Sequence, residues 1–329
     1  MPLFLLPHNA LDACLQRLRS VAELHGPRRD TDGLCRLAPL PEGVRPDLTT
    51  LRTLLPAKKY LLPPVETTLT FRPGEGYRLP RLPDTPLILL GLHPCDLAAI
   101  AYLDRQFLAA PPDPTYAARR AAITLVGTGC SPDGYCSCLT HPSPLPTPCD
   151  LFLHPVEEGF LVTAESDRGK ELCRSLAGLL QADRRCPPPS ARDRFAPPLP
   201  PPSTEELDLS LPDWRELADH CLGCGACSIA CPTCACFELL EYATLDAAGA
   251  ERRRRWDSCL FKGHAMVAGG ESFQQERWQR FRYRYQHKYR GFGPLQGLPS
   301  CVGCGRCRVQ CPSGLDLRPL AERLERREA

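Results

Sequence analysis

Hydrophobic positions in the first half of the chain switch between helical and extended spacing. Leu11, Leu15, Leu18 and Val21 fall at helical intervals and Gly26-Pro27 follows, so the pattern predicts an opening amphipathic helix over 9–25. Cys14 shares that face and reads as a small core residue. Residues 60–72 read as extended, ending at Pro73-Gly74. The apolar run 86–92 predicts a buried strand, and His93-Pro94-Cys95-Asp96 then opens a helix through Phe107, with Asp96 as its candidate cap. A second buried strand is expected over 122–127, a hairpin over 151–164 and a helix over 168–182. This alternation of strands and helices predicts an N-terminal α/β domain over residues 1–186.

Residues 187–203 are dense in proline and read as a stiff, polyproline-like linker. A second domain is then expected over 204–329, opening with a helix over 212–220. Its chemistry lies in two matching runs. Cys221-Leu-Gly-Cys224-Gly-Ala-Cys227-Ser-Ile-Ala-Cys231-Pro232 is followed by Cys301-Val-Gly-Cys304-Gly-Arg-Cys307-Arg-Val-Gln-Cys311-Pro312. Both are C-x2-C-x2-C-x3-C-P, the bacterial ferredoxin spacing for cubane clusters, in which the fourth cysteine serves the other cluster. The spacing assigns Cys221, Cys224, Cys227 and Cys311 to one [4Fe–4S] cluster. It assigns Cys301, Cys304, Cys307 and Cys231 to a second. A zinc ribbon also uses paired C-x2-C, but four cysteines per run with a following proline fit a cubane better. The fold class expected is therefore α+β: an N-terminal α/β domain, then a mostly helical, bacterial dicluster ferredoxin-like domain.

Twenty cysteines without an export signal argue for reduced thiols used as metal ligands, not for disulfides. The start has an apolar patch without a basic lead or a small-residue cleavage site, and no run of some eighteen apolar residues occurs. Cytoplasmic location is expected, with no membrane association. The net charge of +2 is too near neutral to argue for nucleic acid.

Four further cysteines, Cys95, Cys130, Cys136 and Cys138, follow the two buried strands. Loops after parallel strands share one sheet edge, so these could cradle a third iron–sulfur cluster or be buried structural thiols. Cys234, Cys236 and Cys259 are extra to the ferredoxin eight; they either shield the clusters or make a further metal or redox site. Cys149, Cys173 and Cys186 have no motif around them and read as structural. Arg277 to Arg290 interleaves basic and aromatic residues. We expect a helix packing its aromatic side inward and turning its basic side to an acidic partner, in preference to stacking on single-stranded nucleic acid.

No dinucleotide fingerprint is present, since Gly74-Glu-Gly76 lacks the third glycine and the strand–turn–helix setting. No catalytic triad or acid/base pair stands out either. The chain is therefore expected to bind no flavin or nicotinamide itself, to be non-catalytic and to work with other subunits.

The stretch from Gly91-Leu-His-Pro-Cys-Asp, the Cys130 to Cys138 loop, Cys231-Pro-Thr-Cys-Ala-Cys, Arg255-Trp-Asp-Ser-Cys259 and His287-Lys288 resembles the beta-subunit family of cytoplasmic sulfhydrogenases. That family is shared by NAD(P)-linked [NiFe] hydrogenases and the A subunit of anaerobic sulfite reductase. The resemblance runs from about residue 85 to 315. It implies a relay subunit passing electrons between an FAD/NAD(P)H-binding reductase subunit and a [NiFe] hydrogenase small and large pair, or a sirohaem sulfite reductase subunit. It also implies that Cys95, Cys130, Cys136 and Cys138 hold a third cluster.

Overall fold

The computed structural model describes residues 3–82, 84–139, 147–185, 213–245, 248–264, 266–292, 295 and 297–316. The proline-rich 187–203 segment and Cys186 lie outside the described residues. The chain divides into two compact units that are not contiguous in sequence. The first draws on 1–61, 82–197 and 302–304, and the second on 62–81, 198–301 and 305–329.

The first unit begins with β1 (Leu3–Pro7), α1 (Leu11–Val21), β2 (Glu23–Arg29), β3 (Cys35–Pro39) and the short α2 (Lys58–Leu61). Next in the chain come β4 (Val65–Arg72) and β5 (Gly76–Arg78), which belong to the second unit. The first unit resumes with β6 (Leu87–Leu92), α3 (Pro94–Phe107), α4 (Pro114–Ala122), β7 (Ile123–Thr128), β8 (Leu151–Val156), β9 (Gly159–Ala164), α5 (Asp167–Ser175) and β10 (Gln181–Asp183). Its eight strands form one mixed sheet in the order β10-β1-β9-β8-β7-β6-β2-β3. Strands β2, β6, β7 and β8 run parallel and the flanks are antiparallel.

The core shows why these residues make these elements. Cys14, Leu15 and Leu18 of α1 pack with Ile88 and Leu90 of β6, Val126 of β7 and Leu172 and Cys173 of α5. The structural readings of Cys14 and Cys173 are thus borne out. Helix α3 is buried from Leu97 to Leu103, as expected where an apolar run continues into a helix. The opening helix stops at Val21, not at residue 25: Leu24 pairs with Ile88 in parallel register, and strand pairing takes the residues that helical spacing had claimed. Gly26 and Pro27 lie inside β2, and a Cβ on Gly26 would stand 2.7 Å from the Leu40 side chain. The helix expected over 168–182 likewise ends at Ser175, and Gln181–Asp183 becomes an edge strand against β1.

The second unit corrects the mostly helical expectation. With β4 and β5, strands β11 (Phe237–Ala243) and β12 (Ala250–Trp256) form a four-stranded antiparallel sheet, β11-β12-β4-β5. Helices α6 (Asp213–Asp219), α7 (Ala226–Ile229), α8 (Arg277–Arg290) and α9 (Arg306–Val309) complete it. The alternation in β12 is carried by charge instead of apolar residues, which hid it: Arg252 and Arg255 pair outward with Glu241 and Glu238, and Arg254 is buried against Glu66 of β4 at 2.7 Å. Helix α8 opens with a capping box between Glu276 and Gln279, and Phe281 and Tyr285 pack on Trp214 of α6. The aromatic side is inward as expected. On the basic side, Arg280, Arg284 and Lys288 are themselves buried, so these three are not available to a partner.

Candidate metal centres

The two ferredoxin motifs fold their turns alike. Gly223 and Gly303 have φ of 65° and 64°, and Gly225 and Gly305 cap α7 and α9 with the same left-handed φ of 73° and ψ of −4°. Side chains resist that conformation, and at Gly225 a Cβ would also meet the Phe261 ring at 2.4 Å. The turns aim backbone N–H groups at sulfur: Gly223 donates to Cys221 Sγ and Leu315 to Cys311 Sγ, each at 3.4 Å. Burial, with the nearby thiols of Cys227, Cys224 and Cys311, raises the Cys221 pKa. The neighbours of Cys221 are thus the set that the spacing assigns to the first cluster. A group of four mutually repelling thiolates suits a cationic iron–sulfur core, so these residues fit the cubane the motif implies.

In the first unit, adjacent parallel strands β6 and β7 deliver their following loops to one edge, as the sequence predicts. Cys95 sits in the first turn of α3, whose cap is His93, not Asp96. His93 is held by the carbonyl of Thr50 at 3.0 Å, and Asp96 is buried. Cys95, Cys130, Cys136 and Cys138 line one recess with Leu51, His93, Pro94 and Cys304. Burial, then the neighbouring Cys136, pushes the Cys130 thiol up to about 11. A hydrogen bond from Cys138 lowers Cys136 to about 6, making it readier to ionise than Cys130. Among the described residues no three His, Cys, Asp or Glu side chains form a closed metal cage, the motif cysteines included.

Sequence reasoning missed Arg52, which organises this recess from a loop with no motif around it. Its Nη2 donates to Cys136 Sγ at 2.9 Å, its Nε donates to the Cys304 carbonyl at 2.7 Å, and its guanidinium pairs with Asp133. Asp133 in turn accepts from the backbone of Tyr135 and Cys136. A cation bonded to a ligand sulfur favours the reduced, more negative state of a cluster. Arg52→Met should therefore leave iron in place and shift the midpoint potential of a cluster bound here to a more negative value, read by EPR-monitored redox titration. An unchanged potential would show that Arg52 serves only the loop.

These features define an iron–sulfur protein, and residues 220–315 match the family model described as a 4Fe-4S dicluster domain. The chain is 36% identical over 248 residues to sulfhydrogenase 2 subunit beta of Pyrococcus furiosus, a match covering 71% of this chain and 72% of that protein. It belongs to the sulfhydrogenase beta-subunit family, whose chemistry is iron–sulfur electron transfer. No solved structure matches it. Among the described residues no helix is long and apolar enough to cross a membrane.

Proposed function

We propose that this chain is the relay of a soluble, cytoplasmic, hydrogenase-type complex, passing single electrons between an FAD/NAD(P)-binding reductase subunit and a [NiFe] catalytic pair. The observation that carries this is the twice-built cysteine turn, on a chain whose relative is named as a sulfhydrogenase subunit. Bound iron–sulfur clusters supply one-electron redox chemistry without proton transfer. The protein's part is to hold the ligands, direct N–H groups at sulfur and exclude water. The eight motif cysteines hold two [4Fe–4S] clusters, and Cys95, Cys130, Cys136 and Cys138 hold a third. The sulfite reductase alternative rests on the family resemblance alone.

The test is subunit omission. Without this chain, NAD(P)H-linked hydrogen evolution should stop while the catalytic pair still turns over with an artificial electron donor. Turnover by the isolated chain, or coupled activity in its absence, would overturn the relay reading. Ligation is tested separately. The anaerobically purified chain should carry three cubanes' worth of iron from these sets, about four atoms each, with matching sulfide. Cys95→Ser/Cys130→Ser should lose about four of those atoms. The same iron content in that variant would return the four cysteines to a structural role.

A further inference from the structure

The two ferredoxin turns are alike in backbone, yet their surroundings differ. In the first motif Leu222 is 67% exposed and Cys224 is exposed, and a Cβ on Gly223 would meet the Leu260 carbonyl at an ordinary 3.7 Å. In the second motif Val302 is 5% exposed and Cys304 is buried. A Cβ on Gly303 would strike the Cys138 backbone nitrogen at 2.3 Å. The ferredoxin turn does not itself demand that cover, since the first motif does without it.

What covers the second turn is the cysteine-lined recess. Val302–Cys304 folds with the first unit, although the residues on either side of it belong to the second. Val302 and Cys304 pack with Ala98 and Ala99 of α3 and with Cys95. The Ser137 N–H, between Cys136 and Cys138 in the chain, donates to the Gly303 carbonyl at 2.8 Å. Arg52 joins the two ligand sets through one guanidinium, bonded to the Cys136 sulfur and to the Cys304 carbonyl. Cys304, which the spacing assigns to the second ferredoxin cluster, is therefore also part of the recess wall.

We infer that the Val302–Cys304 turn is the internal junction of the relay, where single electrons cross between the recess cluster and the second ferredoxin cluster. Electron tunnelling falls steeply with the distance between centres, and here a ligand of one cluster forms the cradle of the other. The cluster order is then recess, second motif, first motif, with the exposed turn at 222–224 ending the series. In each crossing one cluster loses an electron and the other gains it; no bond forms or breaks and no proton moves. The inference rests on the reading that Cys95, Cys130, Cys136 and Cys138 hold a cluster.

The test is EPR spectroscopy and iron analysis of the full-length, anaerobically purified and fully reduced protein. Cys224→Ala removes the first-motif cluster and should leave about eight iron atoms, those of the recess and second-motif clusters. Their spectrum should be split or broadened, and relax faster, relative to the sum of two single-cluster controls. Those controls are Cys224→Ala/Cys307→Ala for the recess and Cys224→Ala/Cys95→Ser/Cys130→Ser for the second motif. About eight iron atoms with a spectrum equal to that sum overturns the junction and leaves the proposed function standing. About four iron atoms, unchanged when Cys95→Ser/Cys130→Ser is added, means that the recess holds no cluster, and the junction falls with that reading. If the Cys224→Ala chain does not fold, the wild-type chain is compared with Cys95→Ser/Cys130→Ser. The second-motif signal should narrow when the recess cluster is lost, and an unchanged signal overturns the inference.

Discussion

Replacing Cys224 and Cys311 together by alanine removes no more iron than replacing either alone. The two residues are far apart in sequence, yet Cys221 has the thiols of Cys224, Cys227 and Cys311 as its neighbours. If these four hold one cubane, the first substitution already costs that cluster, about four iron atoms, and the second has nothing left to take. Cys224→Ala with Cys304→Ala should instead remove about eight, one cluster from each motif. Coupled electron flow should fall to background in all of them, since a relay is interrupted by any missing step. Iron and sulfide analysis with EPR gives the count. Additive losses for Cys224 and Cys311 would mean that each motif keeps its own fourth cysteine, and the crossed assignment would fall.

Gly303→Ala should be among the most damaging single substitutions in the chain. At φ +64° an L side chain costs about 1–2 kcal/mol. The added Cβ would also stand 2.3 Å from the Cys138 backbone nitrogen and 2.5 Å from its Cα, where the Ser137 N–H donates to the Gly303 carbonyl. Backbone cannot yield as a side chain does, so the total should reach about 3 kcal/mol or more. Gly314 provides the control: its φ is also +64°, but a Cβ there meets nothing within 4 Å. Gly314→Ala should therefore show the conformational cost alone. Equal stability losses in denaturant titrations of the two variants would show that the approach of Gly303 to Cys138 is not a rigid contact.

The chemistry was more legible than the architecture, for physical reasons. Cluster ligands must sit at fixed spacing on a tight turn, so the eight motif cysteines announce themselves locally. The cysteines after β6 and β7 were readable because parallel strands must end at a common edge. Elements decided by distant partners were not readable. Leu24 follows the α1 period but pairs with β6, and β12 hides its alternation behind four arginines, three of which pair with carboxylates on other strands. The stripe Arg280, Arg284 and Lys288 reads as a solvated face by composition. It is buried because the cysteine-bearing loops supply the acceptors, which sequence spacing does not reveal.

The sheet of the second unit has a consequence for how the chain is made. Glu66 on β4 meets its partner Arg254 on β12 across 188 residues. At about 5–20 residues per second, a ribosome needs roughly 10–40 seconds to emit that interval. Throughout it the nascent β4–β5 hairpin has neither its sheet neighbour nor the counter-ion for Glu66. An open strand edge waiting that long invites pairing with another chain, so the hairpin is a segment of the newborn polypeptide that calls for chaperone cover.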